Sequence, residues 1–208
     1  MLDMIDAGNA VSRQSAVAKQ QRVFATVPEH VISDTTLTGQ DWRVLLWVSL
    51  HDGRSLVRGN GAGCFVANER LARRVQCEIS SLSRSLTKLV KLRYLQREKS
   101  GKNTTYRVIF SESSKRFAAA SVAAMSDSGL SGQDWRVFLA VSMHDGMSML
   151  RGDGAGCYAA NVQLAAIARC KFGEVVKSLR KLVDGGYLMK DKHGKADRYR
   201  VPFPEMDS

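Results

Sequence analysis

The chain has 208 residues, 44% apolar and 25% charged, which suits one large or two small globular cores and excludes a disordered or fibrous chain. Its net charge of +11 and isoelectric point near 9.8 favour a polyanionic partner, nucleic acid first and an anionic membrane surface second. The longest apolar run, 44–50, falls far short of the ~20 residues of a membrane span. The opening MLDMIDAGNA lacks the basic start and apolar centre of a secretory signal, so a cytosolic protein is expected.

Residues 1–23 mix small and polar side chains and are expected to form a mobile tail, or a helix that forms only against a partner; a protein partner or self-association is expected through this tail or the second copy. From Phe24 the chain repeats itself. A shift of 93 positions lays 24–110 on 117–203 without a gap, and about half of the aligned residues are identical. Shared pieces include GQDWRV (39–44 and 132–137), HDG (51–53 and 144–146), GAGC (61–64 and 154–157) and Tyr-Arg-Val (106–108 and 199–201). Two copies are too few for a solenoid and read as a pair of like domains. The linker, 111–116, spans at most ~20 Å, so the copies must be neighbours. Residues 204–208 form a short C-terminal tail.

In each copy a lead-in with Val31, Ile32 and Leu37 reaches Thr38, or Ser131 in the second. Asp41 and Asp134, three residues on, complete a start resembling a capping box. The first helix is expected to bury Trp42, Leu45, Leu46 and Ser49 and to end near His51, with Gly53 as its stop. A glycine-rich segment and a short strand, 64–67, follow. The segment lacks the Lys-Ser/Thr ending of a nucleotide loop, and its glycines are expected to allow positive φ before the strand. Asn68 is expected to cap a short helix with Leu71, Ala72 and Val75 on its inner face. Gln76 and Cys77 form a turn. A longer helix then carries Leu82, Leu86 and Leu89 inward and leaves Ser80, Ser81, Arg84, Thr87 and Lys88 outside. A hairpin closes each copy, 94–98 with 105–110 and 187–191 with 198–203, with Gly101-Lys102 and Gly194-Lys195 at the tips.

The stretch ERLARRVQCEISSLSRSLTKLVKLRYLQRE resembles the winged helix-turn-helix of bacterial repressors of the MarR and GntR kinds. It is also similar to that of plasmid and phage replication initiators, some of which carry two such domains. The lead-in FATVPEHVISDTTLTG looks more like the replication type. The resemblance implies an α+β, mainly α, fold of two tandem winged helices that bind double-stranded DNA, as a transcriptional regulator or a replication initiator. A protein-binding tandem scaffold is the third possibility, and the basic charge counts against it.

The copies differ where DNA would be read. The first, 24–110, has fourteen Lys and Arg against seven Asp and Glu, a net +7. The second, 117–203, has twelve against eight, a net +4. In the first, Arg84, Ser80 and Ser81 are expected at base edges, with Thr87 beside them. Arg70, Arg73, Arg74, Lys88 and Lys102 are expected near phosphates. In the second, Lys171, Lys177, Arg180, Lys181 and Lys195 are left for backbone contact. Gly173 weakens the helix start and Glu174 is expected to oppose phosphate. Ile167, Phe172 and Val176 could instead bury against another protein or the sister copy. The four cysteines, two per copy, show no zinc spacing and are expected to be buried apolar side chains. His51 and His144 are expected to sit at a helix C-terminus, with no nucleophile to make a catalytic pair. No cofactor, metal or enzymatic activity is expected.

Overall fold

The computed structural model describes residues 24–57, 63–100, 103–110, 116–152, 156–193 and 196–202. The expected tails, the hairpin tips with Lys102 and Lys195, most of each glycine-rich segment and most of the linker lie outside the described residues. The fold is mixed α and β and mainly helical. In the first copy, strand β1 (Phe24–Pro28) leads into a one-turn helix α1 (Glu29–Ile32), a long helix α2 (Gly39–Val57), a helix pair α3 (Asn68–Val75) and α4 (Ile79–Lys91), and a hairpin β2 (Leu95–Ser100) with β3 (Asn103–Val108). The second copy repeats this as β4 (Phe117–Ser121), α5 (Val122–Met125), α6 (Gly132–Arg151), α7 (Asn161–Ala168), α8 (Phe172–Asp184), β5 (Met189–His193) and β6 (Ala196–Arg200).

The long helices start where expected. The Thr38 hydroxyl accepts the Asp41 amide at 3.2 Å, while the Asp41 carboxylate accepts the Thr38 amide at 3.0 Å. Ser131 and Asp134 do the same. The helices do not stop at Gly53 or Gly146. They run on to Val57 and Arg151, and in the second copy the left-handed residue that ends the helix is Gly152 (φ 80°). Beyond the glycines Ser55 and Ser148 are buried, and the Ser148 hydroxyl accepts the Gly156 amide at 3.0 Å, so the added turn packs; just before the glycines, the buried Asp52 and Asp145 carboxylates accept the Val108 and Val201 amides, each at 2.8 Å, and dock the hairpins. Burial of α2 is also wider than one stripe. Every residue from Asp41 to Leu50 is buried, because β1, α3, α4 and α6 surround the helix.

Two smaller differences concern local chemistry. Asn68 is the first helical residue of α3, and Ala67 holds the cap position without a side-chain bond. The expected strand at 64–67 is a single bridge residue, Cys64, which exchanges two bonds with Tyr106 (2.8 and 3.0 Å) and widens the hairpin; Cys157 and Tyr199 match it. The residue before each bridge has positive φ, Gly63 at 76° and Gly156 at 82°. A Cβ there would lie 3.1 Å from the Tyr106 or Tyr199 carbonyl oxygen, so the backbone meets the hairpin only where a side chain is missing.

The lead-in strands join the copies. β1 and β4 pair antiparallel, with Thr26 opposite Ala119, its own repeat equivalent. The pairing is therefore symmetric about one point, as at a two-fold axis. Ser49 and Ser142 fasten the long helices to this ribbon: Ser49 receives the Thr26 amide and donates to the Thr26 carbonyl, and Ser142 does the same with Ala119. The helix starts then cross. A Cβ on Gly39 would lie 2.1 Å from the Leu130 carbonyl oxygen, and one on Gly132 would lie 2.1 Å from that of Leu37. One continuous cluster of buried side chains runs through both copies. Among the described residues no helix is long and apolar enough to cross a membrane.

Alanine at Gly39 or Gly132 must push backbone from backbone and is expected to cost about 2 kcal/mol or more, read by chemical denaturation. Gly53, inside a helix with no atom within 4 Å of its missing Cβ, is the control: Gly53→Ala is expected to stabilise by up to about 1 kcal/mol.

Candidate nucleic-acid interface

The candidate face is built from α3, α4 and β2. The turn between the helices closes through Gln76, which adopts φ 55° and bonds its amide to the Ala72 and Arg73 carbonyls, while the Cys77 amide also reaches Ala72. Leu71, Val75, Leu82, Leu86 and Leu89 are buried as their spacing predicts. That leaves Arg70, Arg73, Arg74, Ser80, Arg84 and Thr87 exposed and Ser81 half-buried. Arg70, Arg73 and Arg74 line one open concavity on α3.

The structure brings Ser80, Ser81 and Arg84 together. The Arg84 guanidinium folds back over the first turn of α4, donating to the Ser81 hydroxyl at 3.2 Å and the Ser80 carbonyl at 3.4 Å. Both are solvent-facing bonds that a better acceptor can replace at little cost. Arg74 is differently placed, with its guanidinium carbon 5.0 Å above the Trp47 ring, and the Trp47 ring stacks with that of His51 at 6.1 Å. The second copy has Ala140 and Ile167 at these two positions, so one swap of paired side chains removes both the indole and the cation.

Lys88 and Lys181, expected near phosphates, have structural partners. The Lys88 ammonium lies 2.6 Å from both Asp41 Oδ2 and the Thr36 carbonyl oxygen. Lys181 lies 2.7 Å from Asp134 Oδ2 and 2.8 Å from the Gly129 carbonyl oxygen. Ser85 donates to Asp41 Oδ1 at 2.7 Å and Ser178 to Asp134 Oδ1 at 2.7 Å. Gln40 adds bonds to the Ser81 carbonyl and the Ser85 hydroxyl, both 3.1 Å. Burial pushes the Asp41 carboxyl up, but bonds from Lys88, Ser85 and Thr38 outweigh it and hold the group below its usual range; Asp134 behaves alike. These carboxylates fix how α4 and α8 lie on the long helices.

Sequence reasoning missed Arg97 and Lys99, exposed two residues apart on β2 and so on one face of the hairpin. Their alternation with Gln96 and Glu98 was the available signal. On the second hairpin Lys190 pairs with Asp197 at 2.8 Å and Arg198 with Asp191, which neutralises much of its charge. Lys171, Lys177 and Arg180 of α8 are exposed. The Glu174 carboxylate turns back and accepts the Lys171 amide at 2.8 Å. Phe172 and Val176 are not covered by the sister copy, being 55% and 44% exposed, whereas Ile167 packs partly into the core.

Cys64 and Cys157 are buried, which raises their thiols to about 11, and Cys77 and Cys170 are half-buried. Among the described residues no cluster of three or more His, Cys, Asp or Glu could hold a metal. His51 is not at a helix end, since α2 continues past it. Burial lowers its pKa to about 4, with Arg54, Arg74 and Arg70 adding to the effect. No family model, no curated protein and no solved structure matches the chain.

The His51 shift sets a pH dependence. Its folded value lies below the ordinary 6.5, so its contribution to stability is present above pH 6.5 and is lost as pH falls from there toward 4. His144 shifts the same way, while Asp52 and Asp145, raised by burial, act oppositely nearer pH 4. Between about pH 7 and 5.5 the expected loss from His51 is about 1 kcal/mol, read as a falling denaturation midpoint that His51→Gln flattens.

Proposed function

We propose that this chain binds double-stranded DNA as a tandem pair of winged helix-turn-helix domains, a covalent pseudo-dimer, and serves as a sequence-specific transcriptional regulator in the cytoplasm, at the nucleoid. The observation that carries this reading is the pairing of two solvent-facing basic helices, α4 and α8, on copies related by the symmetric β1–β4 ribbon. On this reading α3 and α4 are the helix pair and α4 enters the major groove. Arg84, released from Ser81, meets a guanine edge, with Ser80 and Thr87 beside it. Arg70, Arg73 and the hairpin residues Arg97 and Lys99 hold phosphates. Arg74 keeps its place on Trp47 and adds positive field. The second copy contributes Lys171, Lys177 and Arg180, and the two contacts fall about one helical turn of DNA apart. Joining them in one chain raises the effective concentration of the second contact.

Fluorescence anisotropy with duplex DNA tests this. Affinity is expected to fall about tenfold or more between roughly 50 and 200 mM salt. Absence of binding even at the lower salt overturns the reading. Arg84→Ala is expected to weaken a selected site by about 1–3 kcal/mol and Lys177→Ala by less; the reverse order overturns the assignment of the first copy as the main reader. Mapping bound positions in cells separates promoters, expected here, from a replication origin.

A further inference from the structure

The outer faces of the two candidate reading helices are both basic but differ in their uncharged residues. Where α4 shows Ser80, Ser83 and Arg84, α8 shows Gly173, Val176 and Lys177. Phe172 and Val176 stand one helical turn apart, 55% and 44% exposed among the described residues. Phe172 is matched by the equally exposed Ile79, but Val176 replaces a serine, so only α8 carries an apolar pair. Gly173 lies beside this pair on the helix surface, next to Val176. It sits in the first turn of a helix, with no atom within 4 Å of where its Cβ would be. Glycine in a helix costs about 1 kcal/mol relative to alanine, and nothing in the fold calls for it here. A bare helix surface beside two apolar side chains admits a partner close to the backbone.

Charge narrows the partner. Lys177 and Arg180 are exposed on the same helix, with Lys171 at its N-cap; Arg180 pairs with Asp184 at 3.8 Å, and Glu174 is turned back onto the Lys171 amide. A second copy of this chain would set these cations against themselves, whereas a polyanion with small apolar knobs matches both the field and the patch. The major groove offers one apolar group, the 5-methyl of thymine.

Resting on the DNA-binding reading above, we propose that α8 reads A·T pairs by packing thymine methyls against Phe172 and Val176, with Lys177 and Arg180 on the flanking phosphates. The two halves of the site then differ in kind: α4 selects for hydrogen-bonding edges through Arg84, and α8 selects for methyl groups.

The test uses the full chain and a duplex selected from a random pool at low salt. Each half of that duplex is then resynthesised with deoxyuridine for thymine, which removes the methyls and keeps every charge and base pair. In one half only, affinity is expected to drop about fourfold per contacted methyl. Phe172→Ala/Val176→Ala, at exposed positions, is expected to keep the denaturation midpoint and to bind the thymine and uracil duplexes equally. Equal binding of both duplexes by the unaltered chain overturns the inference and points to a protein for this patch. So does a uracil penalty that persists in the double variant, because it then comes from DNA shape or from the other helix. Failure to select any duplex is a separate result, reached before any base is changed, and it overturns the DNA-binding reading itself.

Discussion

Each copy depends on one buried carboxylate. Asp41 caps the start of α2 through Thr38 and, with its other contacts, receives Ser85 and Lys88 from α4; Asp134 does the same for α6 and α8. A charge so poorly exposed is tolerated because every contact favours its ionised form, and removing it takes the acceptor from a buried hydroxyl and leaves the ammonium with a single backbone carbonyl. The consequence for function is positional. The outward face of α4 is aimed by residues on its inward side, and Lys88 and Lys181 belong to that mounting before any other contact.

The second constraint is the ribbon. Pairing Thr26 with Ala119 sets the copies about a pseudo-two-fold, and the reciprocal approach of Gly39 to Leu130 and of Gly132 to Leu37 holds them at backbone contact. Packing at that distance leaves no room for sliding. The copies thus share one core while their outer faces differ freely. The paired swap of Trp47 and Arg74 for Ala140 and Ile167 illustrates this: a cation resting on an indole in one copy is replaced by two aliphatic residues in the other.

Much of this was legible from residue spacing. The repeat, the capping carboxylates, the inward leucines of α4, the exposed Arg70, Arg73 and Arg84, the positive φ before the bridge strand and the hairpins are all local or periodic signals, and local geometry expresses them directly. Helix ends were read less well. Gly53 carries a stop signal, but Ser55 and its counterpart Ser148 are buried in the next turn, so tertiary packing overrides local preference. The lead-in was seen as apolar without being seen as a strand, since Phe24–Pro28 and Phe117–Ser121 become strands only by finding each other across more than ninety residues.

The sequence by itself determined that two like units exist, that each ends its helix pair in a hairpin, and that the first carries the richer basic face. Composition and periodicity suffice for these, because they depend on which side chains water rejects and on charge. Only the tertiary structure decided which cations are committed and which face solvent. Lys88 and Arg84 lie one turn apart on α4, yet one is bound to a buried carboxylate and the other lies on the surface. It also decided that Glu174 turns away while Phe172 and Val176 stay bare. The reason is physical: a side chain's partners are set by residues distant in the chain, and only packing brings those within hydrogen-bond reach.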